Sequence, residues 1–376
     1  MLNILVDENI AMAEKVFSFL GNVTLMPGRR ITNNSLKNKD VLIVRSITKV
    51  DRNLLENTNI KFVGSATIGV DHLDINYLKD RKIYYCNAPG SNAYSVAEYV
   101  TTALLNLSVK YNFQLKEKSI GIIGVGNIGS KVADFSKALE MKVLLNDPPL
   151  KEITNNTKYL RLKEVLNADI LTLHVPYKKA GKHKTHHLFD FNILNNIKEN
   201  TILINTSRGS VVDNTALTNI LKSKSLITVL DVWENEPNIN LNLLKQVDIG
   251  TPHIAGYSFD GKINGTKAIY YNLCKFLKNE PKWSFENTST DLNALNFVHN
   301  YSIEKSLLTI INNIYNINED CQSLLKMLNT KENIFDILRK NYKIRREFFN
   351  YDILVNAKYE KEKSILQKLR FKTIKF

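Results

Sequence analysis

The stretch Ser119-Ile-Gly-Ile-Ile-Gly-Val-Gly-Asn-Ile-Gly-Ser130 most limits what this chain can fold into. It carries G-x-G-x-x-G at Gly124, Gly126 and Gly129. The pattern alone is weak, but its surroundings are right. An apolar run, Ile120 to Ile123, leads in, and a helical pattern, Ile128 to Leu139, leads out. A second apolar run, Val143 to Leu145, is followed by Asp147, eighteen residues after Gly129. Strand, tight turn, helix, strand and carboxylate form the dinucleotide-binding fingerprint. Gly124 permits the sharp turn, Gly126 lets backbone approach a pyrophosphate, and Gly129 lets the helix pack closely. The helix start at Asn127 and Ile128 offers free N–H groups and a positive dipole end to phosphates. Asp147 is expected to accept hydrogen bonds from the adenosine ribose and to repel a 2′-phosphate, which favours NAD over NADP.

The 376 residues are too many for one small core, and 44% hydrophobic content is enough for several. The formal net charge of +14 suits an anionic ligand, although Lys is also plentiful on faces that read as solvated. There is no basic block and no basic-aromatic interleaving, so nucleic-acid binding is not expected. Cys86, Cys274 and Cys321 are odd in number and far apart, as expected of reduced thiols in the cytoplasm. Asp7 and Glu8 near the start, without a basic segment and long apolar run, argue against a signal peptide. No apolar run approaches bilayer length, so no membrane partner is expected.

Short apolar runs alternate with helical patterns over the first ninety residues. Strands are expected at Asn3–Val6, Asp40–Val44, Lys61–Val63 and Ile83–Cys86, with a helix at Met12–Leu20. Ser91 is a plausible cap for a helix running to about Tyr111. After Ser119, further strands are expected at Ile170–Val175, Thr201–Asn205, Ile227–Leu230 and Val247–Gly250. Lys178–Thr185 and Glu234–Asn240 read as loops. A helix to about Lys278 returns to the first unit. The last ninety residues read as a small α+β appendage: one helix at Glu304–Met327, a strand at Tyr351–Val355, a helix at Glu360–Leu369 and a strand at Lys372–Phe376.

Arg208, Glu236 and His253 stand where the chain leaves successive strands of the dinucleotide unit, and open parallel sheets bind ligands at that edge. Singly, each has an ordinary explanation: an ion pair at a helix start, a loop cap, a buried hydrogen-bonded histidine. Together they fit hydride removal from an alcohol. A histidine takes the hydroxyl proton near neutral pH, a carboxylate fixes its tautomer, and an arginine holds a carboxylate while polarising a carbonyl. Gly64-Ser-Ala-Thr-Ile-Gly69 follows a strand, and its N–H groups can cradle a substrate carboxylate. His183, His186 and His187 match no common zinc spacing, so no metal is expected.

The fingerprint together with Arg208, Glu236 and His253 resembles the D-isomer-specific 2-hydroxyacid dehydrogenase family over roughly residues 1 to 280. The resemblance implies two doubly wound parallel-sheet α/β domains. One is a flavodoxin-like substrate domain at 1–95 and 256–284, and the other a Rossmann NAD domain at 96–255. A small α+β C-terminal dimerisation domain follows at 285–376. It makes Arg208, Glu236 and His253 the catalytic residues, as substrate-binding arginine, partner acid and proton donor/acceptor. It puts Gly124, Gly126, Asn127, Ile128, Gly129, Asp147, His174, Val175, Asp231 and Gly256 near NAD. Val175 departs from a small hydroxyl residue at its position and keeps only backbone contacts.

Ile4-Leu-Val-Asp-Glu-Asn9, Val44-Arg-Ser-Ile-Thr-Lys49, Asp147-Pro-Pro149, Gly250–Tyr257 and Asn341-Tyr-x-x-Arg-Arg-Glu347 narrow the resemblance to one branch, over the whole chain. That branch implies oxidation of 4-phospho-D-erythronate on the way to pyridoxal phosphate, by a cytoplasmic homodimer. Ser46, Thr67 and Tyr257 would contact the substrate. Its phosphate needs a cation: Arg45 and Lys49 are the local candidates, and Arg345 and Arg346 serve if the appendage docks near the cleft, from this or the partner subunit, and otherwise form an exposed basic face. Another D-2-hydroxy acid, such as phosphoglycerate, stays open as substrate, and a corepressor-like NAD sensor is the remote alternative.

Overall fold

The structure is a computed structural model, described over residues 2–284, 294–330 and 332–376. It divides into two compact units, Met1–Asn92 with Ser258–Thr288, and Ala93–Tyr257 with Ser289–Phe376. The boundary expected at residues 284 and 285 lies at the edge of 285–293, outside the described residues.

In the first unit, β1 (Leu2–Asp7), β2 (Gly21–Met26), β3 (Val41–Val44), β4 (Phe62–Ser65) and β5 (Tyr84–Asn87) form one parallel sheet in the order β2-β1-β3-β4-β5. This is the flavodoxin-like order. β3 and β4 are buried along their whole length, as strands covered on both faces must be. β2 is absent from the sequence reading. It is an edge strand, Gly21-Asn-Val-Thr-Leu-Met26, half exposed and without a continuous apolar run. The helix Phe259–Leu277 packs Ile263, Ile269, Tyr270 and Leu273 against the sheet.

The second unit holds a six-stranded parallel sheet. Its strands are β6 (Ser119–Ile123), β7 (Lys142–Asn146), β8 (Ile170–Leu173), β9 (Ile202–Asn205), β10 (Ile227–Leu230) and β11 (Ile249–Gly250). The order is β11-β10-β9-β8-β6-β7. A single parallel bridge, Leu145 to Tyr159, lies beyond β7. It stands where the outer strand of a classic dinucleotide sheet would run, here reduced to one pair. The order reverses between β6 and β8, which makes that edge the crevice for a ligand. The helix Ala93–Tyr111 is buried along most of its length and packs on the helices Asn127–Ala138 and Ile303–Asn312.

A three-stranded parallel sheet, β12 (Leu295–Asn296), β13 (Asp352–Val355) and β14 (Lys372–Lys375), belongs to the same unit. The single helix expected at Glu304–Met327 is two, Ile303–Asn312 and Ile317–Leu325. The first ends at Asn312, and Asn316 starts the second by accepting the N–H of Asn318 through its side chain, a local bond that competes with one continuous helix.

Gly129 tests the close packing of helix on sheet. A β-carbon there would lie 1.9 Å from the Gly124 carbonyl oxygen. Gly129→Ala is expected to cost about 1–3 kcal/mol of stability and to weaken NAD binding; thermal melting with and without NAD reads both.

Candidate active site

The fingerprint turn is shaped by what surrounds it. Gly124 has φ +88°, and a β-carbon there would press on the His174 carbonyl and the Val175 N–H. The turn and the end of β8 therefore meet at the switch point. Gly126 faces open space, with nothing within 4 Å of its missing side chain. It heads the helix Asn127–Ala138 with no side-chain cap, so the first amides of a twelve-residue helix keep their hydrogen-bonding capacity. Asn127 is exposed, and Ile128 is half-buried. Asp147 accepts from Val125 N–H at 2.8 Å and from Leu150 N–H at 2.9 Å. The acid at the end of β7 is thus tied to the glycine turn. An open backbone, unfilled amides and a fixed carboxylate fit the pyrophosphate and ribose of NAD.

The His174 side chain is turned inward. Its Nε2 meets Thr172 Oγ1 at 2.9 Å and its Nδ1 meets Thr206 Oγ1 at 3.2 Å. Burial lowers its pKa to about 3, so the ring is neutral. His174 contributes a locked backbone beside Gly124, with its ring held between two threonines; Thr206 was absent from the sequence reading. Val175 lies against the same glycine.

Arg208 follows β9. The Asn205 side chain builds its turn, donating to the Arg208 carbonyl at 2.9 Å and accepting from Ser207 N–H and Oγ at 3.1 and 2.8 Å. Arg208 Nη1 donates to the Ser207 carbonyl at 2.7 Å. The next residue must be glycine: a β-carbon on Gly209 would lie 1.9 Å from the Trp233 carbonyl carbon. That contact presses the Arg208 loop against the loop that carries Glu236.

Glu236 Oε1 accepts from Trp233 N–H at 2.9 Å, and Oε2 lies 2.7 Å from His253 Nδ1. The side chains of His253 and Glu236 are 30% and 20% exposed, so the pair is reachable yet mostly shielded. Burial pushes the Glu236 carboxyl up. The charge of His253, its hydrogen bond, the Trp233 N–H and the charge of Arg339 outweigh this and hold it below the ordinary value. With Nδ1 committed to the carboxylate, Nε2 is the ring atom left for proton exchange.

His253 sits in the left-handed region at φ +56°, and its N–H donates to the Asp231 carbonyl at 2.7 Å. The Asp231 carboxylate holds the same turn. Oδ1 accepts from Thr251 Oγ1 at 2.6 Å and Ile254 N–H at 2.7 Å, and Oδ2 accepts from Ala255 N–H at 2.9 Å. Asp231 is 1% exposed, and burial raises its pKa against the pull of His253 and these bonds. Its carboxylate thus shapes the turn that carries His253. Gly256 is half-buried at the end of that turn.

Tyr257 follows, edge-on to Tyr342 with ring centroids 5.9 Å apart. The Arg339 guanidinium lies 5.5 Å from the Tyr257 ring centre. Arg339 was not singled out from the sequence, where a single arginine in Phe335–Lys340 carries no signal.

Arg345 and Arg346 are both buried. Arg345 is 3% exposed; its Nη2 donates to the Ala255 carbonyl at 2.6 Å, and its guanidinium lies 4.5 Å from the Tyr315 ring centre. Arg346 is buried and bonds Asn350 Oδ1 at 2.6 Å. Both work inside the unit, because the segment folds onto the Ala93–Tyr111 helix: Ser95 donates to Glu347 and Phe348 N–H donates to Glu98.

In the first unit, Arg45 Nε donates to the fully buried Asp7 at 3.0 Å. Ser46 is exposed at the end of β3. Thr67 Oγ1 pairs with Ser65 Oγ at 2.8 Å, and Ser65 Oγ with His72 Nε2 at 2.9 Å, which fixes the loop after β4. Lys49 is largely exposed and pairs with Asp51.

Among the described residues, His187, Asp213 and Glu234 bring ligand atoms within 4.8 Å of one another. Each is already used: His187 Nε2 meets Glu234 at 2.7 Å, Glu234 accepts from Asn214 N–H, and Asp213 caps a helix at Ala216. No helix among the described residues is long and apolar enough to cross a membrane.

Residues 96–255 match the family model "D-isomer specific 2-hydroxyacid dehydrogenase, NAD binding domain", and residues 288–369 match a domain of unknown function, DUF3410. Erythronate-4-phosphate dehydrogenase of Photorhabdus laumondii is 41% identical over 99% of both chains. The protein of that name in Wigglesworthia glossinidia brevipalpis is 44% identical over 94% of both. Among solved structures, D-lactate dehydrogenase from Aquifex aeolicus, complexed with NAD and lactic acid, is 27% identical. It covers 73% of this chain and 95% of its own, with a TM-score of 0.61. The NAD-bound 3-phosphoglycerate dehydrogenase of Entamoeba histolytica shares the fold at 22% identity, covering 76% of this chain and 99% of its own, with a TM-score of 0.64. With a dinucleotide turn, an arginine loop and a carboxylate–imidazole pair on one sheet edge, the chain belongs to the D-isomer specific 2-hydroxyacid dehydrogenase family.

Proposed function

We propose that this NAD-dependent dehydrogenase oxidises 4-phospho-D-erythronate at C2 to 2-oxo-3-hydroxy-4-phosphobutanoate, on the route to pyridoxal 5′-phosphate. The observation that carries the chemistry is the 2.7 Å contact of His253 Nδ1 with Glu236, in the same unit as the dinucleotide turn. The substrate follows from relatives of one name, 41–44% identical over nearly the whole chain.

His253 Nε2 removes the C2 hydroxyl proton, and Glu236 stabilises the imidazolium that forms. Arg208 holds the substrate carboxylate and polarises the developing carbonyl. NAD, when bound, accepts the hydride that leaves C2. The helix beginning at Asn127 takes its pyrophosphate and Asp147 its adenosine ribose, with Gly124, Gly126, Ile128, Gly129, Val175 and Gly256 giving backbone surface. In the first unit, Ser46, Thr67 and Arg45 are the proposed substrate contacts, and Tyr257 is one in the second. The first unit is thus the substrate domain and residues 96–255 the NAD domain.

A cytoplasmic homodimer formed through the C-terminal region belongs to the same reading. β14 is an edge strand of the small sheet, and Ile374 within it and Phe376 just after it are exposed, which supports a covering partner. Light scattering on the full chain and on one lacking residues 370–376 tests this, with loss of the dimer expected in the shorter chain.

The experiment that tests the function is NAD reduction with 4-phosphoerythronate, erythronate, 3-phosphoglycerate and D-lactate. The phosphorylated four-carbon acid is expected to give the highest kcat/KM; equal rates with D-lactate would overturn the substrate assignment. His253→Asn is expected to lower kcat by about a hundredfold or more while the NAD dissociation constant holds. Normal turnover would remove the proton role. Asp147→Ala is expected to weaken NAD by about tenfold, because it loses the ribose contact and the bond to Val125; calorimetric titration measures it.

A further inference from the structure

The loop that carries Glu236 is not fixed by the dinucleotide fold alone. The segment matching the domain of unknown function reaches it from within the same unit. Asn333 Nδ2 donates to the Pro237 carbonyl at 3.0 Å and to Asn238 Oδ1 at 2.8 Å. Phe335 is fully buried in the apolar cluster that contains Trp233 and Ile239, the residues that bracket Glu236. Four positions on, along the helix Phe335–Lys340, comes Arg339. Its side chain is only 12% exposed. The guanidinium lies 5.5 Å from the Tyr257 ring centre and 5.9 Å from that of Phe335. Asp336 lies 3.8 Å away, too far for a strong hydrogen bond, and Arg339 Nε is buried with no hydrogen-bond partner. Taking a guanidinium out of water without a full set of partners is costly, so its charge must act on something close by.

We propose that Arg339 is a positioning residue of the proton pair: from a helix packed on the loop of Glu236 it sets a buried positive charge beside the pair and holds Tyr257 in place. This rests on the assignment of Glu236 and His253 as the pair that exchanges the substrate proton. The charged and titratable groups involved are few. His253 pairs with Glu236, Arg339 contacts Tyr257 and lies 3.8 Å from Asp336, and the charges of His253 and Arg339 both act on Glu236 while that of His253 acts on Asp231. A fixed positive charge next to a carboxylate–imidazole pair opposes the uptake of a proton by the pair. Oxidation requires His253 to start neutral, so Arg339 extends activity toward lower pH. The appended segment thereby tunes the chemistry of a site otherwise built from the dinucleotide fold.

The test compares wild type, Arg339→Lys, which keeps the charge, Arg339→Gln, which keeps a planar hydrogen-bonding group without charge, and Asn333→Ala, which loosens the loop. The first readout is the pH midpoint of the His253 imidazole in the free protein, followed by nuclear magnetic resonance. The second is the pH profile of kcat/KM for oxidation. Wild type, Arg339→Lys and Asn333→Ala are expected to share one midpoint, and Arg339→Gln to raise it by about half a unit or more. The acid limb of kcat/KM is expected to rise with it. An unmoved midpoint in Arg339→Gln, or equal shifts in Arg339→Lys or Asn333→Ala, would overturn the proposal. The imidazole titration needs no turnover, so failure of the substrate assignment leaves this result readable on its own.

Discussion

The Asp231 carboxylate is the constraint on which the site depends. It accepts two backbone N–H groups and one hydroxyl from residues 251 to 255, while the Asp231 carbonyl takes the N–H of His253. Four bonds from one buried residue at the end of β10 close a turn whose central residue is held in a left-handed conformation. Such a conformation costs free energy in a histidine and persists only where the surroundings over-determine it. The result is a ring aimed at Glu236. Thr251 extends the arrangement inward, since its hydroxyl meets Tyr99 at 2.7 Å and its carbonyl accepts from the Trp233 indole at 2.9 Å. The histidine turn, the acid's loop and the long helix Ala93–Tyr111 are thus joined through a few buried polar atoms.

Close backbone approach does the remaining work. Gly209 lets the arginine loop lie on Trp233, and Gly124 lets the dinucleotide turn lie on His174. In both places the missing side chain is what allows two loops from different strands to touch. A parallel sheet places every such loop at one edge, and the glycines set which loops meet there.

The appended segment is packed into the second unit rather than hung from it. Its Arg345, Glu347 and Phe348 bond to Ala255, Ser95 and Glu98, and its Asn333 and Phe335 lie against the loop of Glu236. The solved dehydrogenases compared above align over about three quarters of this chain and nearly all of their own. The site therefore has neighbours in this chain that the shared fold does not supply.

The repeated strand-and-helix patterns, the glycine turn with Asp147, and the order of Arg208, Glu236 and His253 were readable from residue order alone. Each rests on local chemistry: apolar runs, glycine spacing and side-chain type at strand ends. β2 and β12 were not readable, because a half-exposed edge strand and a two-residue strand leave no periodic trace. The break at Asn313–Asn316 was hidden because apolar spacing continues across it. Roles that depend on three-dimensional surroundings escaped as well. Nothing in the sequence says that Asp231 faces a turn, that Arg345 is buried on Tyr315, or that Arg339 stands over Tyr257. Sequence determined the fold class and the chemical groups, because backbone preference and side-chain chemistry are local. Tertiary structure alone decided which charges act on one another, because burial and distance between remote segments set their strength.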